Sequence, residues 1–311
     1  MRIETHRPVL LEECITGLDI KGTGVYLDGT FGRGGHSREI VQKLTTGRLI
    51  CVDRDEEALA AGEETFSPWK EKVTFVHSNF SDIDRIFSQC QIEKVDGMLF
   101  DLGVSSPQLD CPERGFSYMA EARLDMRMDQ RESLTAEDIV NLWEREELQR
   151  IFSSYGEERY AGRIATAICQ RREEQPIVTT TELVEIIKKA LPAKALREKQ
   201  HPAKRCFQGI RIAVNQELSS VEQMLDLAIP RLNPEGKLAV ITFHSLEDRI
   251  VKRRFVSGAK GCDCPPDFPV CVCGKTPELK LAPKKAILPT AKEIEENPRA
   301  RSAKLRIILK Q

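Results

Sequence analysis

Val25-Tyr26-Leu27-Asp28-Gly29-Thr30-Phe31-Gly32-Arg33-Gly34-Gly35-His36 decides how the rest of this 311-residue chain is read. Its first four residues predict a short buried strand closed by an acid, Asp28. A glycine-rich turn follows, and a helix is expected over Ser37–Leu44. Four glycines in seven positions let the backbone turn sharply and approach a ligand with no Cβ in the way. The free N–H groups of the helix start then point at whatever lies over the turn.

Two ligand classes use such a turn, dinucleotides and S-adenosylmethionine. A dinucleotide fingerprint is G-x-G-x-x-G directly after the strand. Here Gly32-x-Gly34 is followed by Gly35, and Ser37 stands where the third glycine belongs. The acid followed by G-x-x-G-x-G-G resembles motif I of the Rossmann-like methyltransferases, whose ligand carries no phosphate. A glycine turn with no ligand is the remaining alternative.

The chain is long enough for a sizeable core and for two domains. Hydrophobic content of 41% with 31% charged residues describes a water-soluble globular protein. A net charge of −1 gives no global drive toward nucleic acid, so such binding must rest on local patches. Met1–Leu11 lacks the apolar core of a signal peptide, and no apolar run reaches the roughly 20 residues that span a bilayer. A cytoplasmic location without membrane partners is expected. Ten cysteines then read as reduced thiols, with Cys14, Cys51, Cys90, Cys111, Cys169 and Cys206 as small core residues.

In chain order, Pro8–Leu18 predicts a helix and Arg48–Asp53 a second buried strand ending in an acid. Asp53, 25 residues beyond Asp28, stands where such folds accept hydrogen bonds from ribose hydroxyls. Capping the next helix, expected over Arg54–Ala61, is its other reading. Val73–His77 is strand three; Phe80 beyond it suits either the adenine ring or the core. A helix is expected over Ser81–Cys90. Val95–Asp101 is strand four and Gly236–Phe243 strand five, preceded by an amphipathic helix carrying Leu218, Val221, Met224, Leu225 and Ala228. This alternation predicts a parallel α/β sheet with ligands at the carboxyl ends of its strands.

The roughly one hundred residues from Ser106 to Arg211 are too long for a loop. They show helical patterns over Ala136–Phe152, Gly156–Arg172 and Thr181–Ala190, the last with an N-cap within Thr179–Glu182. The expected organisation is a discontinuous cofactor-binding domain, 1–106 with 212–311, and an inserted helical domain, 107–211. Charge is uneven: Pro112–Tyr160 carries −5, Lys188–Arg211 carries +7 and His244–Gln311 carries +7. Two basic segments in a near-neutral protein point to a polyanionic substrate.

Asp101 lies at the same sheet edge as Asp28 and Asp53. Enzymes methylating exocyclic base amines commonly carry Asp/Asn/Ser-Pro-Pro-aromatic there. Asp101 with Ser105-Ser106-Pro107 keeps the acid and a displaced proline, without the aromatic. Asp101 capping a turn is the alternative. After strand five, His244-Ser245 lacks the G-x-S-x-G of a hydrolase. Ser245 is expected as helix N-cap with Asp248 at its third position, leaving His244 to face the acceptor. Cys262, Cys264, Cys271 and Cys273 form C-x-C-x6-C-x-C. Four thiolates suit tetrahedral zinc, but the C-x-C intervals are not the usual C-x2-C, and free thiols are the other reading.

With these residues assembled, the chain closely resembles the bacterial 16S rRNA (cytosine-N4) methyltransferase family over nearly its whole length. The matching stretches include His6–Leu11 (HRPVLL), Asp28–Ser37 (DGTFGRGGHS), Asp101–Asp110 (DLGVSSPQLD) and Arg114–Ser117 (RGFS). They continue with Leu124–Met128 (LDMRM), Phe207–Ile212 (FQGIRI), Val214–Leu218 (VNQEL), His244–Arg249 (HSLEDR) and Asn297–Arg306 (NPRARSAKLR). The resemblance implies a Rossmann-like class I methyltransferase sheet with a helical domain inserted between strands four and five. It implies S-adenosylmethionine as cofactor, contacted by Gly34, Gly35, His36, Asp53, Phe80, Asp101 and Gln108. The catalytic candidates Asp101, Ser105 and His244 follow from their places after strands four and five. The implied reaction methylates the N4 amine of a decoding-centre cytosine (position 1402) in the assembled 30S particle. Another base amine or a small-molecule amine is the alternative acceptor. A homodimer is compatible with the sequence. The clustered cysteines gain nothing from the resemblance, so no metal is assigned.

Overall fold

The computed structural model describes residues 8–262, 264, 265, 270 and 272–311. The chain divides into two compact units, residues 1–103 with 218–311 and residues 104–217.

The first unit is built on seven strands: β1 (Val25–Asp28), β2 (Arg48–Asp53), β3 (Val73–His77), β4 (Val95–Asp101), β5 (Leu232–Thr242), β6 (Leu279–Leu281) and β7 (Lys304–Lys310). They lie in the order β3-β2-β1-β4-β5-β7-β6. β1 to β5 are parallel; β7 alone runs antiparallel to both neighbours. The parallel strands read as near-continuous apolar runs because both faces are covered. Successive side chains alternate between two cores. Leu27, Ile50, Val52, Met98, Phe100, Leu238 and Val240 face one core with helices Ile83–Cys90, Glu217–Ala228 and Ser245–Gly258. Tyr26, Leu49, Cys51, Leu99, Ala239 and Ile241 face the other with helices Leu11–Leu18, Gly35–Lys43 and Glu56–Thr65. The chain order reverses between β1 and β4, so their carboxyl ends flank the crevice where open α/β sheets bind ligands.

The first four strands have the bounds the sequence predicts, whereas helix starts slip. The first helix begins at Leu11 rather than Pro8, because Leu10 adopts a left-handed backbone at φ 52°. β5 starts at Leu232, four residues early.

The second unit is helical, with Ala136–Leu142, Arg145–Ser154, Ala161–Glu174, Thr180–Ala190 and Lys204–Asn215 around Ile151, Phe152, Ile164, Ile187 and Ile210. The single helix expected over Ala136–Phe152 is two. Trp143 leaves the helical conformation, and Arg172 donates to the carbonyls of Val140 (3.0 Å) and Trp143 (2.7 Å), satisfying the first helix's open end. Thr179 and Glu182 form a reciprocal cap, as the sequence suggested. The last helix continues to Asn215, so the unit ends at Glu217 rather than at residue 211. Asn215 accepts from Met128 N (2.8 Å) and donates to the Met126 carbonyl (2.8 Å), while Arg127 and Asp125 pair bidentately. The strings LDMRM and VNQEL are thus parts of one internal brace.

Candidate active site

At the end of β1, Asp28 is buried and fully committed. Its Oδ2 accepts from the Ser37 hydroxyl (2.7 Å) and its Oδ1 from Thr30 N (3.1 Å), tying the start of the turn to the start of the helix. Gly32 and Gly34 take left-handed backbones at φ 55° and 71°. A Cβ on Gly34 would stand 2.6 Å from the Phe66 ring and 2.7 Å from Phe31, and one on Gly35 would overlap Pro8. The helix begins at Gly35, two residues before Ser37, so His36 already lies in its first turn.

Asp53 does not cap the following helix; Asp55 does, accepting from Glu57 N (3.2 Å). Asp53 instead accepts from Gly32 N (2.7 Å) through Oδ2 and from Asp55 N (2.9 Å) through Oδ1. Each carboxylate oxygen keeps a second lone pair for a hydroxyl donor. Burial raises its pKa, and the two backbone donors oppose that rise.

Asp101 closes β4. Its backbone N–H donates to Thr30 Oγ1 (2.6 Å), which fastens the end of β4 to the glycine turn. The side chain keeps 26% of its surface exposed, yet Oδ1 is buried and has no hydrogen-bond partner among the described residues. Burial, with the charges of Asp28 and Glu247 adding to it, raises the Asp101 pKa to about 8. Asp28 is raised to about 6, also mainly by burial. The Oδ2 of Asp101 lies 3.8 Å from His36 Nδ1. His36 Nε2 is 3.1 Å from the Val9 carbonyl, which can only accept, so that nitrogen carries the proton and Nδ1 presents its lone pair toward Asp101. Burial lowers the His36 pKa to about 4, so the ring is neutral.

Phe80 is buried, its ring edge-on to Phe100 with centroids 5.9 Å apart and the Arg54 guanidinium over it at 5.9 Å. It belongs to the core as well as to this strand end.

After β5 the structure departs from the sequence expectation. The N-cap is His244, not Ser245, and the third position is Glu247, not Asp248. Glu247 accepts from Phe243 N (2.8 Å) and His244 N (3.3 Å), and His244 Nδ1 receives Glu247 N at 3.5 Å. Its Nε2 is 3.1 Å from Glu247 Oε1 without hydrogen-bond geometry. His244 is thereby drawn into its own helix start. Asp248 pairs with Arg306 (2.7 Å) and Lys304 (3.0 Å), joining that helix to β7.

Ser105 and Gln108 belong to the second unit and hold each other: Gln108 Oε1 accepts from Ser105 N (3.0 Å) at the start of the short helix Ser106–Asp110. Cys271 lies outside the described residues. Thr30 and Glu247 are site residues that the sequence pattern did not single out. A Glu three residues into a helix after a strand was the available signal for the second.

The first unit therefore gathers four carboxyls, Asp28 and Asp53 bound to the glycine turn, Asp101 at the end of β4 and Glu247 after β5. Beside a cation these acids favour their ionised forms, whereas a pyrophosphate would oppose their ionisation. A methyl donor with a positive sulfonium fits, and a dinucleotide does not.

The sequence pattern of the MraW methylase family matches residues 4–311. The chain belongs to that family. It is 54% identical over 306 residues to a Ribosomal RNA small subunit methyltransferase H of Clostridium botulinum (strain Loch Maree / Type A3), covering 98% of each chain. A protein of the same name from Lachnospira eligens is 51% identical over 97% of this chain and 96% of its own. Another, from Brevibacillus brevis, is 53% identical over the same shares. The match to a methylase family is carried by a chain whose first unit is a mixed seven-stranded α/β sheet. No helix among the described residues is long and apolar enough to cross a membrane.

Proposed function

We propose that this protein methylates the N4 amine of a decoding-centre cytosine, position 1402, in small-subunit ribosomal RNA, using S-adenosylmethionine. The observation that carries this reading is the Asp101 carboxyl at the β4 end: largely withdrawn from water, protonated when alone, and holding an oxygen with no partner among the described residues.

Bound there, the cofactor supplies a methyl group on a positively charged sulfur, open to in-line attack by a nitrogen lone pair. The chain's own residues do the rest by placement and charge. Gly34 and Gly35 let the turn pack tightly against Phe31, Phe66 and Pro8, and Asp53 takes the ribose hydroxyls. Phe80 offers an aromatic wall for the adenine, for which Arg54 must give way. Asp28 fixes the turn through Ser37 and Thr30, and His36 braces the helix start against the Val9 carbonyl. Asp101, ionised beside a cation, accepts an N–H of the acceptor amine and draws electron density toward the attacking nitrogen. Ser105 and Gln108 hold each other and His244 caps a helix, so none of the three is given a chemical step.

RNA as substrate agrees with the names of the relatives and with the second unit's surface. Lys189, Lys194, Arg197, Lys199 and Lys204 are exposed, whereas Arg211 is held bidentately by Glu217 at 2.8 and 2.9 Å and is withdrawn from any phosphate role. A cytosine amine is occupied in pairing, so the target must be single-stranded or flipped out.

The test is to incubate the protein with labelled donor and unmodified small subunits, naked DNA or free cytidine, and to map the label. Label on one cytosine N4 of the small subunit is expected. Label confined to DNA or free cytidine overturns the reading.

A further inference from the structure

The connection between helix Ser245–Gly258 and β6 is closed at its base by a hydrogen bond from Glu278 N to the Gly258 carbonyl (2.8 Å). Within it, Cys262, Cys264 and Cys273 bring their sulfurs within 4.8 Å of one another. None of the three forms a disulfide, and the methylation chemistry uses none of them. The Sγ atoms of Cys262 and Cys273 are 3.7 Å apart. That is far beyond the roughly 2.05 Å of a disulfide. It matches the separation of two thiolates on one tetrahedral zinc, since Zn–S bonds of about 2.3 Å place their sulfurs about 3.8 Å apart.

The backbone supports the same assignment. Cys264 N donates to Cys262 Sγ (3.3 Å), and Val272 N donates to Cys264 Sγ (3.4 Å). N–H groups aimed at sulfur stabilise thiolates and orient them as ligands.

We infer that Cys262, Cys264 and Cys273 bind a structural zinc ion as thiolates and release their protons to solvent on doing so. Soft sulfur donors and a tetrahedral spacing select zinc over hard cations such as magnesium. The ion cross-links the two arms of the connection and needs one further donor to close its coordination.

Protein purified under reducing conditions, stripped with a chelator and then titrated with zinc tests this. About one zinc per chain is expected to survive gel filtration. Replacement by cobalt should give the charge-transfer absorption of at least three thiolates. Cys262→Ser, Cys264→Ser and Cys273→Ser should each lose most of the bound metal while circular dichroism keeps the fold. Metal removal should make the connection sensitive to limited proteolysis in the wild-type chain. Less than about a tenth of an equivalent after titration overturns the proposal. So does zinc that remains in the triple variant, or a Cys262–Cys273 disulfide found by mass spectrometry in the reduced protein.

Discussion

Asp101 carries opposite demands at the residue scale. Its folded-state pKa of about 8 stands above the unfolded value near 3.9. Between those values the folded protein holds a proton that the unfolded chain has lost, so this group lowers stability as pH climbs from about 4 to about 8. Asp101→Asn should therefore melt several degrees above wild type at pH 8 and level with it near pH 4, read by calorimetry. A cation beside the carboxyl reverses the preference. Cofactor affinity should rise with pH up to about 8, by as much as tenfold per unit, with proton release seen as a buffer-dependent binding enthalpy. In Asp101→Asn that dependence should flatten, and methylation should fall by about 10²-fold or more. The places of Asp53 and Asp101 at the ends of β2 and β4 were legible in the sequence, because each closes an apolar run. Thr30 and Glu247 were not, since a hydroxyl two residues past a strand and an acid inside a helix are usually solvated. His244 was misread because serine is the commoner cap; an imidazole nitrogen accepts the same backbone N–H.

Among elements, the strands were the most legible. Burial on both faces leaves an apolar run such as Leu49–Val52 that nothing but a central strand explains. Helix limits were less so, because a cap can be supplied from far along the chain. Arg172 ending the helix at Leu142 is an example, with no signal near Trp143. The glycine turn is where an element has least tolerance. Gly34→Ala adds a Cβ at φ 71° against two phenylalanine rings, and a loss of about 1–3 kcal/mol in chemical denaturation is expected. Asn215→Ala, which strands the buried Met128 N–H and the Met126 carbonyl, should cost about 1–3 kcal/mol for each group left unpaired. Denaturant titration of the whole chain checks both.

For the whole molecule, charge distribution says more than net charge. Replacing Lys194, Arg197, Lys199 and Lys204 by alanine should lower the slope of log affinity against log salt for RNA by about 1–3, roughly 0.7–0.9 for each phosphate no longer neutralised. The melting temperature should change little, because these side chains are exposed. The net charge of −1 concealed this segment, and only counting by stretch exposed it. The interruption between β4 and β5 was also legible, since about a hundred residues without strand signal cannot be a loop. Its end was not, because Lys204–Asn215 carries its apolar face past residue 211 without a break. That interruption has a bearing on how the molecule is made. β4 leaves the ribosome more than a hundred residues before its partner β5, and β7, which lies between β5 and β6 in the sheet, follows β6 in the chain. The contiguous 104–217 segment can bury its core while the sheet still waits with an open edge at β4. Truncation before β5 should then yield a folded helical segment and a half-sheet that aggregates through its open β4 edge.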